Sequence, residues 1–212
     1  AALENNKGQQ TKKYEPIAIV GCGVRLPGKI NNTKKLWNLL VEKKSVAKEI
    51  PAERFNINSI FSENPEMPGK MNVRYGAFLE NDVRAFDASF FNISPREAKS
   101  MDPLQRMILE VVYEAFENAG IATDSLKGSK TGVYIALGNS DYIQARLRNG
   151  NLESIDLYDA TGIPFGTAGG RVSYLYDFKG PSYNVDAACA SAILAIHLAK
   201  QDLQNNEIDL AV

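Results

Sequence analysis

The sequence predicts an α/β fold with a largely parallel sheet. Short apolar runs alternate with helical patterns along its 212 residues, in the order strand–helix–strand–helix–strand–helix–strand. The run "TGVYIALG" (Thr131–Gly138) is a compact strand candidate, and the segment after Asp102 has the clearest helical spacing. Because 44% of the residues are hydrophobic, the chain has enough apolar material for a real core.

The N-terminal part combines a polar lead with one strand and one helix. Residues 1–14 are polar and lack periodicity, so we expect a linker or tail there and a domain over residues 15–212. The run "IAIVG" (Ile17–Gly21) is apolar, ends in glycine and predicts a buried strand. Thr33 can cap a helix that carries four apolar side chains on one side: Leu36, Trp37, Leu40 and Val41.

The central helix has start and stop signals. Asp102 is a plausible N-cap, and Pro103 suits the first helical position because that position needs no N–H. Gly120 ends the pattern, as glycine commonly does after a helix. The apolar positions at helical spacing predict the buried side of this helix: Leu104, Ile108, Val111, Ala115 and Ala119.

The C-terminal part predicts two more helices and two more strands. Residues 165–176 have a helical pattern despite their glycines, and "SYNVDA" (Ser182–Ala187) predicts a strand. A long helix is expected from Cys189 to about Leu203, and "IDLAV" (Ile208–Val212) predicts a final strand.

Composition excludes several functions. The formal net charge of −1 gives no basic field that would attract nucleic acid or anionic lipid. No apolar run approaches the ~18–20 residues that span a bilayer. Two cysteines and one histidine make a zinc site improbable, and so few cysteines favour a reduced, cytoplasmic setting.

Cys189 is the candidate nucleophile, because it stands where a strand is expected to give way to a helix. The positive end of a helix favours the thiolate form of a cysteine, and unpaired N–H groups there can bind an oxyanion. Small neighbours such as Ala188 and Ala190 would allow a tight turn that exposes the sulfur. The residues themselves leave two interpretations open: an acyl-accepting thiol, or a buried and inert cysteine.

The other candidate residues give weaker support for a chemical function. His197 lies eight residues after Cys189 on the same predicted helix, roughly 12 Å in rise, which is too far for direct proton transfer, so we expect a structural role. The loop Gly21–Gly28 departs from a dinucleotide fingerprint because Leu26 replaces its third glycine, so a glycine-shaped turn is the better interpretation. Asp102, Arg106 and Glu110 have the spacing of salt bridges along one helix.

Five ordered motifs resemble those of β-ketoacyl synthases, in particular the ketosynthase domains of modular type I polyketide synthases. "VDAACASA" (Val185–Ala192) resembles the active-site signature V-D-T-A-C-S-S-S. "EPIAIVGCGVRLPG" (Glu15–Gly28) resembles the opening E-P-I-A-I-V-G-x-x-x-R-F-P-G. Phe86–Arg106, Ala160–Ser182 and Leu194–Val212 also follow the family pattern. Departures are alanines at 187, 190 and 192 for threonine and two serines, and leucine at 104 for glutamine.

The resemblance implies a thiolase-like α/β fold, of which residues 15–212 would form the first of two duplicated halves. Two histidines and a lysine of the family's catalytic site belong to the second half. The resemblance also implies that the strand "GPSYNVDA" (Gly180–Ala187) pairs with its twin across a homodimer two-fold.

The resemblance further implies a reaction. An acyl group on the phosphopantetheine arm of an acyl carrier protein would transfer to Cys189. A malonyl-type extender would then lose CO₂ and condense with that acyl group. The domain itself would bind no cofactor, and the fragment alone would be inactive. Alternatives are a non-elongating acyl-transfer gate, a scaffold that docks a carrier protein, and a thiolase acting on coenzyme A.

Overall fold

The computed structural model describes residues 15–138, 140–148 and 155–212. The predicted linker over residues 1–14 lies outside the described residues. The described chain divides into two compact units. Of the described residues, one unit comprises 15–19, 126–138 and 169–212, and the other comprises 20–125, 140–148 and 155–168.

The helices and strands alternate along much of the chain. In chain order the strands are β1 (Lys48–Glu49), β2 (Tyr75–Gly76), β3 (Thr131–Ala136), β4 (Ser182–Val185) and β5 (Leu210–Ala211). The α-helices are α1 (Thr33–Val41), α2 (Ile57–Ile60), α3 (Pro95–Ser100), α4 (Pro103–Ala119), α5 (Tyr142–Arg148), α6 (Asp159–Gly162), α7 (Ala168–Tyr176) and α8 (Ser191–Gln204). Short 3₁₀ turns cover Thr123–Leu126, Phe165–Thr167 and Ala188–Ala190.

A parallel sheet is the centre of the first unit. Its strand order is β4–β3–β5, and β3 pairs in parallel with both neighbours. The register sets Tyr134 beside Tyr183 and Ala136 beside Val185, so β3 and β4 end at the same edge. The predicted α/β fold with a largely parallel sheet is therefore confirmed; the one antiparallel pair among the described strands joins β1 to β2.

Helix α8 packs on this sheet and closes the core of the first unit. Tyr134, Val185, Ala195 and Ile208 are buried together there. The Tyr134 hydroxyl donates a hydrogen bond of 2.6 Å to the carboxylate of Asp202, which ties β3 to α8. Burial raises the pKa of Tyr134 above its ordinary value, and the bond to Asp202 raises it further.

Helix α4 of the second unit begins and ends where the sequence predicts. The Asp102 side chain accepts a 2.8 Å bond from the Leu104 N–H, and Gly120 adopts the left-handed conformation with φ of +69°. The predicted buried side of the helix is wrong by one position, since the buried residues are Gln105, Leu109, Val112 and Phe116.

The buried position of Gln105 explains that error. Its side-chain amide donates to the carbonyl oxygens of Thr161 and Pro164 at 3.3 and 3.0 Å and to the Thr167 hydroxyl at 3.2 Å. A polar side chain can be buried when its hydrogen bonds are satisfied. The apolar Leu104, by contrast, is 36% exposed.

Two expectations for the N-terminal elements are wrong. The structure has no strand at Ile17–Gly21, and the Ile19 side chain is 93% exposed. A strand needs a neighbour that takes its backbone hydrogen bonds, and none of the described strands pairs with this run. Helix α1 is capped by Asn32 instead of Thr33, and its residues Trp37 and Leu40 are exposed instead of packed.

Gly180 allows close contact between the loop before β4 and the start of β3. A Cβ atom at this position would lie 2.5 Å from the Thr131 carbonyl oxygen and 2.8 Å from the Gly132 nitrogen. Both are backbone atoms of the central strand, so they cannot move aside without disturbing the ladder. Glycine is therefore required where the chain enters β4.

We expect Gly180→Ala to lower the free energy of unfolding by about 1–3 kcal/mol, because the added methyl group overpacks this contact. The matched control is Gly170→Ala in α7, where nothing lies within 4 Å of the added Cβ. Alanine is the better helix former, so this change should be neutral or stabilise by up to about 1 kcal/mol. Urea denaturation measures both, and equal stabilities of the two variants would contradict the expectation.

Candidate active site

Cys189 lies in the turn that joins the sheet to α8. Strand β4 ends at Val185, a 3₁₀ turn covers Ala188–Ala190, and α8 begins at Ser191. The expected change from strand to helix is confirmed, with the helix proper starting two residues later than predicted. The Cys189 side chain is exposed and its thiol is free, so the expectation of a buried cysteine is wrong, and its role as a nucleophile stays a prediction.

The turn is held by hydrogen bonds on both sides of the cysteine. The Ala187 N–H donates to the Ser191 hydroxyl oxygen at 2.8 Å, and that hydroxyl donates to the Ala188 carbonyl oxygen at 2.7 Å. The Ala188 N–H donates to Asp186 Oδ1 at 3.1 Å. The Ala190 N–H donates to the Ala187 carbonyl at 3.1 Å, which closes the first 3₁₀ turn.

Ala188 adopts the left-handed region with φ of +50°. A residue with a Cβ pays about 1–2 kcal/mol in this region relative to its favoured conformations. A typical hydrogen bond contributes about 0.5–1.5 kcal/mol net, so the bonds from Asp186 and Ser191 together are large enough to offset the strain. The residue before the cysteine is thus held in a conformation that it would not choose alone.

The Cys189 backbone N–H remains available. Among the hydrogen bonds of the described residues, none uses this N–H, although its neighbours Ala188 and Ala190 both donate. An exposed thiol and a free N–H therefore sit on the same residue, just before the positive end of α8. Chemically, such an arrangement can attack a carbonyl carbon and bind the oxyanion that forms.

The site lies at the carboxyl ends of β3 and β4, which is where parallel α/β sheets usually bind ligands. Gly138 follows β3 and lies close to Asp186, which follows β4. A Cβ on Gly138 would be 2.8 Å from Asp186 Oδ1, so the glycine leaves room for the carboxylate that supports the turn.

The structure does not bring His197 to the thiol. His197 lies about two turns into α8, roughly 12 Å in rise from Cys189. Its side chain is exposed, so the expected structural role among apolar neighbours has no support in packing. The other cysteine, Cys22, is exposed in the second unit, and its backbone N–H donates to Asn118 Oδ1 at 3.0 Å.

The loop Gly21–Gly28 is shaped by packing on α4. A Cβ on Gly21 would lie 2.3 Å from the Ala115 carbonyl oxygen, and a Cβ on Gly23 would lie 2.2 Å from the Val111 carbonyl oxygen. These two glycines therefore serve helix contact. The turn itself lies at residues 27–29, where Gly28 has a φ of +79°, and this confirms the interpretation as a glycine-shaped turn.

The spacing of Asp102, Arg106 and Glu110 does not produce a row of salt bridges among the described residues. Arg25 pairs with Glu114 at 2.6 Å and with Glu110 at 3.7 Å. The cation that pairs with these α4 carboxylates therefore lies in the loop Gly21–Gly28. Asp102 is 2% exposed and accepts from Ser140 as well as from its own helix. Burial raises the pKa of Glu110, and the nearby Arg25 partly opposes that shift.

Sequence reasoning missed Asp186 and Ser191 as the residues that hold the turn. Both residue types hydrogen-bond nearby backbone groups in tight turns, so their position three residues before and two after the cysteine was an available signal. Among the described residues, no group of histidine, cysteine or acidic side chains could hold a metal ion. None of the described helices has the length and hydropathy needed to cross a bilayer.

The chain is similar to known proteins in both sequence and structure. The family model described as "Beta-ketoacyl synthase, N-terminal domain" matches residues 14–212. The compactin nonaketide synthase, polyketide synthase component, of Penicillium citrinum is 46% identical over 93% of this chain and 6% of its own length. The non-reducing polyketide synthase olcA of Penicillium canescens is 45% identical over 93% of this chain and 8% of its own length.

The solved oxazolomycin ketosynthase domain OzmH KS7 of Streptomyces albus JA3453 superposes with a TM-score of 0.79 at 30% identity. The match covers 91% of this chain and 32% of that one. The chain thus spans less than a third of the solved ketosynthase and under a tenth of these two fungal synthases. The implied thiolase-like fold is confirmed, and the chain belongs to the β-ketoacyl synthase family through the N-terminal domain of that family.

Proposed function

We propose that this chain carries the nucleophile of a polyketide-forming condensing enzyme, and that the nucleophile is Cys189. The Cys189 sulfur attacks the carbonyl carbon of an acyl thioester on the phosphopantetheine arm of an acyl carrier protein. The arm's thiol leaves with the proton, and the acyl group stays on the cysteine. The Cys189 N–H donates to the oxyanion formed during this exchange.

In the second half-reaction, a malonyl-type extender on a carrier protein loses CO₂, and the resulting carbanion attacks the acyl-cysteine carbonyl. A carbon–carbon bond forms and the Cys189 thiolate leaves. The family's two histidines would stabilise the enolate, and His197, the single histidine of this sequence, is not placed to do so. A cytoplasmic location stays a prediction from the low cysteine content.

One observation carries the proposal. The exposed thiol and the unused N–H of Cys189 occur together in the turn between β4 and α8, within the family motif Val185–Ala192. Nucleophilic catalysis at a carbonyl requires this combination of an accessible attacking atom and a preorganised donor.

We expect incubation of the full-length protein with an acyl-carrier thioester to add one acyl group to the Cys189 peptide, detected by mass spectrometry. Cys22→Ala should keep the label because this cysteine lies outside the site, whereas Cys189→Ala should lose it. Cys22 also serves as an internal reference, since both cysteines are exposed. Label on another residue, or on Cys22 and Cys189 equally, would refute the assignment.

A non-elongating acyl-transfer gate is the second candidate. It shares with the condensing enzyme the exposed thiol of Cys189 in the turn before α8, because both functions begin with acylation of that thiol. The two functions differ in one product. After acylation, addition of a malonyl-type carrier thioester yields CO₂ and a β-ketoacyl thioester only if the protein condenses.

We also propose that the protein forms a homodimer through β4. This strand is at the edge of the three-stranded sheet, so one side of its backbone has no neighbouring strand in the described chain. Val133 and Leu137 donate to Pro181 and Val185 across the ladder. The alternation along a strand then directs the N–H and C=O of Asn184 towards the open edge.

The Asn184 side chain adds support. Its Oδ1 is buried and has no hydrogen-bond partner in the described structure, which is costly unless another group supplies one. Tyr183 beside it is 45% exposed. A second copy of the strand offers both backbone pairing and polar partners.

We expect Asn184→Pro to abolish the dimer, because proline removes the N–H at the open edge and leaves the bonds to β3 in place. Asn184→Ala keeps that N–H and should retain the dimer. Sedimentation of the full-length protein measures the mass, and circular dichroism checks the fold. A dimer that survives Asn184→Pro with unchanged affinity would contradict pairing through this edge.

A further inference from the structure

We infer that Ser191 is a positioning residue whose hydroxyl orients the Cys189 N–H through a single peptide plane. The inference rests on the proposed function of Cys189 for its catalytic meaning. The geometry of the turn carries it, and nothing in the family motif assigns this task to the hydroxyl.

The peptide unit between Ala188 and Cys189 couples the Ser191 hydroxyl to the Cys189 N–H. A trans peptide is planar, and its C=O and N–H point in opposite directions. The Ser191 hydroxyl donates to the Ala188 carbonyl oxygen at 2.7 Å, on the inner side of the turn. Fixing that oxygen inwards therefore fixes the Cys189 N–H outwards, where it has no partner among the described residues.

Ser191 is suited to this task because it is itself held. Its side chain is 7% exposed, and its oxygen accepts the Ala187 N–H at 2.8 Å while its proton goes to Ala188. The hydroxyl thus bridges the Asp186–Ala187 and Ala188–Cys189 peptide units, on either side of the Ala187–Ala188 unit, and has a defined direction. Asp186 Oδ1 holds the peptide unit between Ala187 and Ala188 by accepting the Ala188 N–H.

The strain at Ala188 explains why the turn needs hydrogen bonds from side chains to hold it. With φ of +50° this alanine occupies a region that residues with a Cβ avoid. If the hydroxyl is removed, Ala187 loses its acceptor, and the Ala188 carbonyl keeps only the bond from the Ser191 backbone N–H. With one donor instead of two, the Ala188–Cys189 peptide plane can rotate about ψ of Ala188 and φ of Cys189, and the Cys189 N–H turns with it.

The test separates orientation of the N–H from exposure of the sulfur. Acylation by a carrier thioester passes through an oxyanion and needs the oriented N–H. Alkylation by iodoacetamide displaces iodide at a saturated carbon and forms no oxyanion. In the full-length protein, Ser191→Ala should lower the acylation rate of Cys189 by about tenfold or more. The alkylation of Cys189 relative to Cys22 should change by less than about threefold.

Two controls isolate the hydroxyl from packing. Ser191→Thr keeps the hydroxyl and Ser191→Val replaces it with a methyl group of the same shape, so only threonine should restore acylation. Ser173→Ala removes a buried hydroxyl that has no hydrogen-bond partner in the described structure, within the same unit, and should leave both rates unchanged. If threonine and valine behave alike, or if acylation and alkylation fall together, the inference is overturned.

A crystal structure of the Ser191→Val variant makes the inference independent of the proposed function. Rotation of the Ala188–Cys189 peptide supports the orienting role even if no thioester acylates Cys189, an outcome that would remove the proposed function alone. An unchanged peptide plane, with unchanged ψ at Ala188 and φ at Cys189, overturns the inference even if acylation of the wild-type protein succeeds.

Discussion

The parallel pairing of β3 with β4 is the constraint on which the candidate site depends. It brings both strands to a common end, so Gly138 and Asp186 meet where the chain leaves the sheet. The chain then turns from the end of β4 at Val185 into α8 at Ser191, and the bond between Tyr134 and Asp202 ties that helix back onto β3. The short connection over residues 186–190 holds both the left-handed alanine and the exposed cysteine.

Local signals in the sequence predicted much of this arrangement. Asp102 and Gly120 mark the ends of α4 because capping is a property of a few neighbouring residues. The small residues around Cys189 indicated a tight turn for the same reason. These features depend on short stretches of chain, and short stretches can be interpreted without knowing what packs against them.

Long-range packing decided the features that the sequence did not predict. Gln105 is not among the apolar positions that predicted the buried side of α4, yet carbonyl groups of Thr161 and Pro164, distant in sequence, satisfy it in the interior. The apolar run Ile17–Gly21 looked like a strand, yet it has no strand to pair with among those described. The role of the Ser191 hydroxyl could be predicted only in part. Its hydrogen-bond partners are close in sequence, but the directions of those bonds depend on the folded turn.

The accessibility of both sulfur atoms has a practical consequence for handling the protein. Cys22 and Cys189 are each exposed and unpaired, so oxygen in a buffer can join two molecules by an intermolecular disulfide. Such a covalent adduct has twice the mass of one chain and mimics a natural association. Preparations kept in excess reductant, and compared on gels run with and without it, distinguish the oxidation artefact from strand pairing.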